Sequence, residues 1–457
     1  MKLPAALPLL VASTMFMEQL DGTILVTALP NIAKTFGTSA AGLDLSVSAY
    51  LVTLSFMIPA SGWVADRLGA KRVYGAAILL FILASILCGA SQTAWQFIAA
   101  RILQGLGGAM MVPVGRLIVL RETDKRELIR SIAYLTWPAL SAPLLGPPLG
   151  GFITMYFSWH WIFYINVPLG LVALAVAWQV VPNVHVEERR KFDAAGFFLT
   201  GIATLGLLSG IELLGRPGIS AFATVAVFGI GIASAAAAVR RSLTTPHPLI
   251  SVTVFRTLTF KLAMRGGGVF RGCLATLPFM LPLLFQVGFG LDPVISGTLV
   301  LGIFIGNLGM KPGTSWILRH FKFRRIMLVS GATAIATMIG CALIDAQTPH
   351  AVIIALLIVS GLARSMQFTT LTTMAFSDVP KPLMGNANTL LSMQQQAANA
   401  FGVATAGALL RLASLSQAGG SQTVESFHLV FLLIAAIAAV SMFDFYRVPL
   451  NAGEALH

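Results

Sequence analysis

Gly62-Trp63-Val64-Ala65-Asp66-Arg67-Leu68-Gly69-Ala70-Lys71-Arg72 is the stretch from which the fold follows. An acid and three bases crowd into one short turn, yet the chain on either side runs without a charge from Leu45 to Ala65 and from Val73 to Ala100. About 20 helical residues cross the roughly 30 Å of hydrocarbon in a bilayer. A charged turn between two such runs is where the chain meets water between two membrane helices. Gly62 lets the helices approach closely, and Gly69 frees the backbone for the turn.

Moving outward, the same alternation recurs along the chain and yields about fourteen candidate spans. Their centres lie near Met17, Thr53, Leu83, Leu106, Ala142, Leu171, Leu205, Ile230, Leu274, Ile303, Thr333, Val359, Ala400 and Ala435. The boundaries after Gly309 and around Asn386 are the softest. Of the 457 residues, 56% are hydrophobic and only 10% charged, where a soluble domain has about a quarter charged. Alternating barrel strands do not produce such long apolar runs. The first run continues past Leu25, carries Glu18 and Asp21 and lacks a small-residue cleavage site, so it reads as a span and not as a cleavable signal. Cys88, Cys273 and Cys341 each fall inside an apolar run, which argues against a disulfide framework.

The net charge of +13 has its origin in topology. With the N-terminus inside, the loops Arg67–Arg72, Arg116–Arg130, Arg189–Lys191, Arg240–Lys261 and Arg319–Arg325 are cytoplasmic, as are Lys2, Lys381 and Arg447. The opposite side holds Lys34, Arg216 and Arg411. This asymmetry predicts an even number of spans with both ends cytoplasmic. No segment outside the spans interleaves aromatics with bases, so no nucleic-acid role is expected. The turn also has an echo: Trp316-Ile317-Leu318-Arg319-His320-Phe321-Lys322-Phe323-Arg324-Arg325 repeats its spacing. An all-α membrane protein of two repeated six-helix bundles is therefore expected, residues 1–182 and 246–457, with two accessory spans in 183–245. The accessory pair carries little polarity beyond Glu212 and is expected to face lipid.

Four segments carry more than hydrophobicity. They are Leu20-Asp21-Gly22-Thr23-Ile24 leading to Ala28-Leu29-Pro30, the Gly62–Arg72 turn, Arg101-Ile102-Leu103-Gln104-Gly105-Leu106-Gly107-Gly108, and Pro143-Leu144-Leu145-Gly146-Pro147-Pro148-Leu149-Gly150-Gly151 with Trp159 to Pro168 behind it. Together, in this order, they resemble the major facilitator superfamily and its fourteen-helix drug:proton antiporters of the EmrB/QacA type. Ser158–Phe163, Gly107–Arg116 and Leu277-Pro278-Phe279 are similar to the MdtD-like branch. The resemblance implies two bundles rocking about a central cavity in the bacterial inner (plasma) membrane. Proton entry would be coupled to the exit of a small molecule, with the proton motive force and no cofactor as the driver. Accessory efflux partners stay unknown.

Glu18 and Asp21 share a helix face, and carboxylates at membrane depth are costly unless paired, protonated or in a watery passage. Proton coupling is expected of Asp21, while Glu18 reads equally as a hydrated lining residue. Arg101 needs a partner at that depth; the resemblance assigns it to proton relay, and structural pairing with Glu18, Asp21 or backbone carbonyls is the other reading. By resemblance Asp66 locks a conformational state, with Gly62, Arg67, Gly69 and Arg72 in the same gate. Prolines 138, 143, 147 and 148 bend the fifth span, and Gly146, Pro147 and Gly150 form the antiporter signature that argues for export. Deep bases in the second half, Arg265, Arg271, Lys311 and Arg364, either lock the bundles against the acids or bind an anionic substrate such as a carboxylate or metal–carboxylate chelate. Gln395, within the polar run from Asn386 to Asn399, is a candidate pathway residue or a source of interhelical hydrogen bonds.

Other classes fit less well. The seven histidines lie at or beyond span ends, and no nucleophile, metal-ligand or phosphate-cradling motif accompanies them. A proton-translocating subunit of a respiratory complex would need a line of buried lysines, and Lys311 is the only lysine near a span interior.

Overall fold

The computed structural model describes residues 6–37, 40–124, 127–182, 191–213, 219–246, 248–415 and 423–453, and all their regular structure is helical. In order the helices are α1 (Ala6–Thr35), α2 (Ala40–Leu68), α3 (Ala70–Ala90), α4 (Ala94–Glu122), α5 (Leu128–Tyr156), α6 (Trp161–Tyr164), α7 (Asn166–Val180), α8 (Ala194–Leu213), α9 (Ala221–Thr244), α10 (Leu258–Ala275), α11 (Leu277–Leu283), α12 (Pro293–Gly309), α13 (Lys311–His320), α14 (Phe323–Cys341), α15 (His350–Ser377), α16 (Met384–Leu415) and α17 (Val424–Tyr446). Eight helical runs are long and apolar enough to cross a bilayer, and α12 with α13, bent by 46°, make a ninth. With α1, α5, α8, α14 and α16 beside them, the described helices fit a twelve- to fourteen-pass architecture.

Local chemistry sets the breaks. Gly69 takes φ +88 between α2 and α3, a backbone region closed to most side chains. The α12–α13 bend falls at Met310, just ahead of Pro312, which cannot donate to a continuous helix. Thr93 caps α4 by accepting from the Gln96 N–H.

The residues from Leu7 to Phe197 supply two apolar clusters, and a third is built almost wholly from Val254 to Val448. Four residues of the first half cross into that third cluster: Leu120, Leu128, Ile129 and Ile132. They sit at the turn between α4 and α5, on the side that the basic loops assign to the cytoplasm. Polar contacts reinforce the seam there. Asn388 Nδ2 donates to Pro113 O at 2.8 Å, and a Cβ added to Gly62 would stand 3.4 Å from Thr389 Oγ1. The halves are thus joined at their cytoplasmic ends.

The accessory helices pack on each other so closely that a Cβ on Gly206 would stand 2.7 Å from Gly231 Cα. α9 presents apolar side chains outward, Phe222 at 84% exposure among them. α8 differs from the lipid-facing expectation: it is sandwiched, packing on α2 and α16. Arg116 is a second correction. It lies inside α4 and not in a loop, because α4 runs 29 residues, longer than a span needs.

Candidate functional site

Four elements of the first half converge on Asp21. Its carboxylate is 3% exposed and Arg101, Gln104 and Asn166 are fully buried. Arg101 Nη1 lies 2.6 Å from Asp21 Oδ2. Oδ1 accepts from Gln104 Nε2 at 2.8 Å and from Asn166 Nδ2 at 2.9 Å. Gln104 is held in turn by Ser85 Oγ at 3.0 Å and accepts from Arg101 at 2.5 Å. The knot therefore joins α1, α3, α4 and α7. Helical spacing explains the α4 share: Arg101 and Gln104 stand three residues apart on one face. Charge neutrality explains why it survives at depth, since a lone buried ion would cost several kcal/mol.

Glu18 is one turn earlier on the same face of α1 and half-buried. It joins the knot indirectly. Tyr50 Oη donates to Glu18 Oε1 at 3.3 Å, while the Tyr50 ring lies 4.3 Å from the Arg101 guanidinium, a cation–π contact.

The second half gathers bases. The Arg271 guanidinium stands 4.4 Å and that of Arg364 5.1 Å from the Phe368 ring. Arg364 Nη1 donates to Leu274 O at 3.0 Å, and the buried Nε atoms of both arginines have no hydrogen-bond partner among the described residues. No carboxylate pairs with either among the described residues. Arg116 reaches toward them from α4, its Nη1 lying 3.4 Å from both Ser392 Oγ and Gln395 Oε1 of α16. Arg116 and Arg364 both lie close enough to Arg271 for their charges to act on it. Lys311 is buried, with Nζ 2.9 Å from Thr369 Oγ1. Arg265 stands apart, its guanidinium forked onto Asp444, with Nε 2.8 Å from Oδ2.

At the cytoplasmic turn Asp66 Oδ1 lies 2.8 Å from Arg121 Nη1, an ion pair by distance that lacks hydrogen-bond alignment. Arg121 belongs to α4 of the same half, and Gly385 at the start of α16 packs 3.4 Å (as an added Cβ) from its Nη2. Arg67 and Arg72 are exposed. On α5, Gly146 meets Thr23 of α1 so tightly that any Cβ would collide with it. Gly150 is buried, and Pro138, Pro143 and Pro147 lie outside the described side chains, as does Glu212. Among the described residues no three His, Cys, Asp or Glu gather to hold a metal ion.

The arrangement is a buried, neutralised acid in the first half, a cluster of bases drawn from α4, α10 and α15, and a charged turn between α2 and α3. The sequence profile of the Major Facilitator Superfamily matches residues 11–403. The chain belongs to the major facilitator superfamily. Two similar proteins bear the description putative multidrug resistance protein MdtD. That of Pectobacterium carotovorum subsp. carotovorum (strain PC1) is 37% identical over 445 residues, covering 96% of this chain and 95% of the relative. That of Salmonella heidelberg (strain SL476) is 36% identical over 449 residues, covering 96% and 94%. In fold, this facilitator is similar to the human organic anion transporter MFSD10, with TM-score 0.69 and 13% identity over 97% of this chain and 100% of the other. It is also similar to the proton:xylose symporter XylE, with TM-score 0.67 and 14% identity over 98% and 96%. This chain is accordingly a multi-pass membrane transporter and not an enzyme, and the respiratory-subunit reading falls away.

Tyr50, Ser85, Gln104, Arg116, Asn166 and Asp444 were not singled out from the sequence as site residues. Gln104 and Arg116 lie within quoted motifs, and Asn166 opens the Asn-Val-Pro step of α7. The three-residue spacing from Arg101 is the one signal in the sequence by which Gln104 could be found.

Proposed function

We propose that this facilitator exports small molecules from the cytoplasm in exchange for protons. Residues 1–182 and 246–457 act as the two rocking halves, and 183–245 carry the accessory pair. The observation that carries the reading is the Asp21–Arg101 ion pair, 2.6 Å long and sealed at membrane depth. Ionisable residues are retained there for function, since packing alone is better served by apolar side chains. Proton coupling is assigned to the α1 acids, Asp21 and Glu18, with Arg101. The contact of Gly146 with Thr23 supports a link from the proline-rich α5 to that site, so that bending of α5 is felt where the proton is handled. Gly62, Asp66, Arg67, Gly69, Arg72, Pro147 and Gly150 complete the proposed gate. The multidrug-resistance description of the MdtD relatives supports export.

A second, finer reading concerns the substrate. Arg271 and Arg364 have no acidic partner among the described residues, which favours organic anions, with Arg116, Lys311 and Gln395 as neighbours. Arg265, occupied by Asp444, contributes least. Purified protein in liposomes tests both readings, using tetraphenylphosphonium and phthalate as the cationic and anionic probes. Export driven by an imposed pH gradient is expected to vanish in Asp21→Asn, and undiminished export would remove Asp21 from the mechanism. Phthalate binding is expected to fall at least tenfold in Arg271→Ala and Arg364→Ala; unchanged affinity leaves these bases a structural lock.

A further inference from the structure

The two acids of α1 are held very differently. Asp21 has both oxygens engaged, one by Arg101 and one by Gln104 and Asn166. All three donors are fully buried. Protonating Asp21 would strip the fully buried Arg101 of its counter-charge, and an uncompensated buried charge is strongly unfavourable. Glu18 is half-buried and has one long bond, from a neutral hydroxyl, at 3.3 Å. No base forms an ion pair with it among the described residues, so gaining a proton breaks no ion pair.

We propose that Glu18 is the group that takes up and releases the transported proton, whereas Asp21 stays ionised throughout the cycle as a fixed anchor for Arg101. The proposal rests on the assignment of proton coupling to α1. The proton moves between water and the Glu18 carboxyl, and Tyr50 ties that charge to the knot, its hydroxyl on Glu18 and its ring on Arg101. The charged and titratable groups around Glu18 are Asp21 on α1, Tyr50 on α2, and Arg101 and Arg116 on α4. α5, which packs along α1, carries Arg130, Tyr134 and Tyr156, α6 carries Tyr164, and α7 carries no titratable side chain. Gly108 leaves room beneath the carboxyl: a Cβ there would stand 3.4 Å from Glu18 Oε1 and 3.2 Å from Tyr50 Oη.

Infrared titration of the full chain in liposomes tests this without a substrate. The wild type is expected to show a protonated-carboxyl band that disappears as the pH is raised. Glu18→Gln should lack that band, and Asp21→Asn should keep it while melting at lower temperature. A band that survives Glu18→Gln, or one that Asp21→Asn removes, overturns the proposal. Glu18→Asp guards against misfolding of the amide variant: the band should shift in pH, and an unshifted band again overturns it. Failure to export either probe would sink the export reading alone, because the infrared result does not depend on it.

Discussion

At the scale of single residues, the carboxamides around Asp21 distinguish a designed ion site from a trapped one. Gln104 and Asn166 each donate to Oδ1, so removing either leaves part of a buried charge unsatisfied. Gln104→Ala and Asn166→Ala are each expected to cost roughly 1–3 kcal/mol of stability. Arg101→Ala should cost about 3–5 kcal/mol. Arg101→Lys should fail to restore stability, since the planar guanidinium lies over the Tyr50 ring while its Nη1 reaches both Asp21 and Gln104, a placement that an ammonium does not reproduce. Thermal unfolding in detergent checks all four, and wild-type melting in the alanine variants would contradict the network. The Asp21–Arg101 pair was legible in outline, because a deep arginine demands a partner and few acids were available. Its amide donors were not. A Gln or Asn in an apolar run carries no charge to flag it, and Asn166 lies 145 residues from Asp21. The Arg265–Asp444 pair, 179 residues apart, was hidden for the same reason.

At the scale of elements, two contacts carry predictions. α1 and α5 close on each other at Gly146, where a methyl group has no space beside Thr23. Gly146→Ala should therefore destabilise by about 1–3 kcal/mol through overpacking. Adding Thr23→Ala should recover part of that loss, and a double variant no better than the single one would show that the contact is not the cause. Asp193 sits ahead of α8 and pins three segments. It accepts from Gly196 N–H at 2.9 Å, from Arg241 Nε at 2.6 Å and from Leu249 N–H at 3.4 Å. Burial works against its charge, yet these donors outweigh burial and hold its carboxyl below the ordinary aspartate value. A depressed carboxyl stabilises the fold above its unfolded value, about 3.9, and that contribution is lost as pH falls through the folded value. Acidification should thus lower the melting temperature of the wild type more than that of Asp193→Asn; equal slopes would contradict the linkage. Element positions were readable because runs of apolar residues end at charges. Arg116 was misplaced because α4 overruns its span by several turns, and the bases from Arg116 to Arg130 look like one loop.

At the scale of the whole molecule, the seam between the halves lies at the cytoplasmic end. Leu120, Leu128, Ile129 and Ile132 bury there, and Asn388 and Arg116 bridge α4 to α16. Each such hydrogen bond is worth about 0.5–1.5 kcal/mol. Asn388→Ala with Arg116→Ala is expected to shift the population toward cytoplasmic opening by roughly tenfold. Spin-label distances across the ends of α2 and α16 would report it, and an unchanged distribution would contradict a seam of this kind. The repeated turn at Trp63 and Trp316 is the feature of the sequence that points to a two-half architecture. The seam was not legible, because it depends on which faces meet across the repeat, and no local pattern encodes that. The sandwiching of α8 is of the same kind: a helix this rich in apolar residues gives no periodic sign of which side is covered.

The central claim is that proton exchange at the α1 acid site, which needs Asp21 ionised to hold Arg101 in place, drives export, and everted membrane vesicles test it most directly. With the lumen acidified by respiration and followed by an acridine dye, adding phthalate or tetraphenylphosphonium to wild-type vesicles should partly collapse the gradient. Vesicles bearing Asp21→Asn should hold it. A gradient that neither probe disturbs in the wild type, or that collapses equally in Asp21→Asn, would contradict the account.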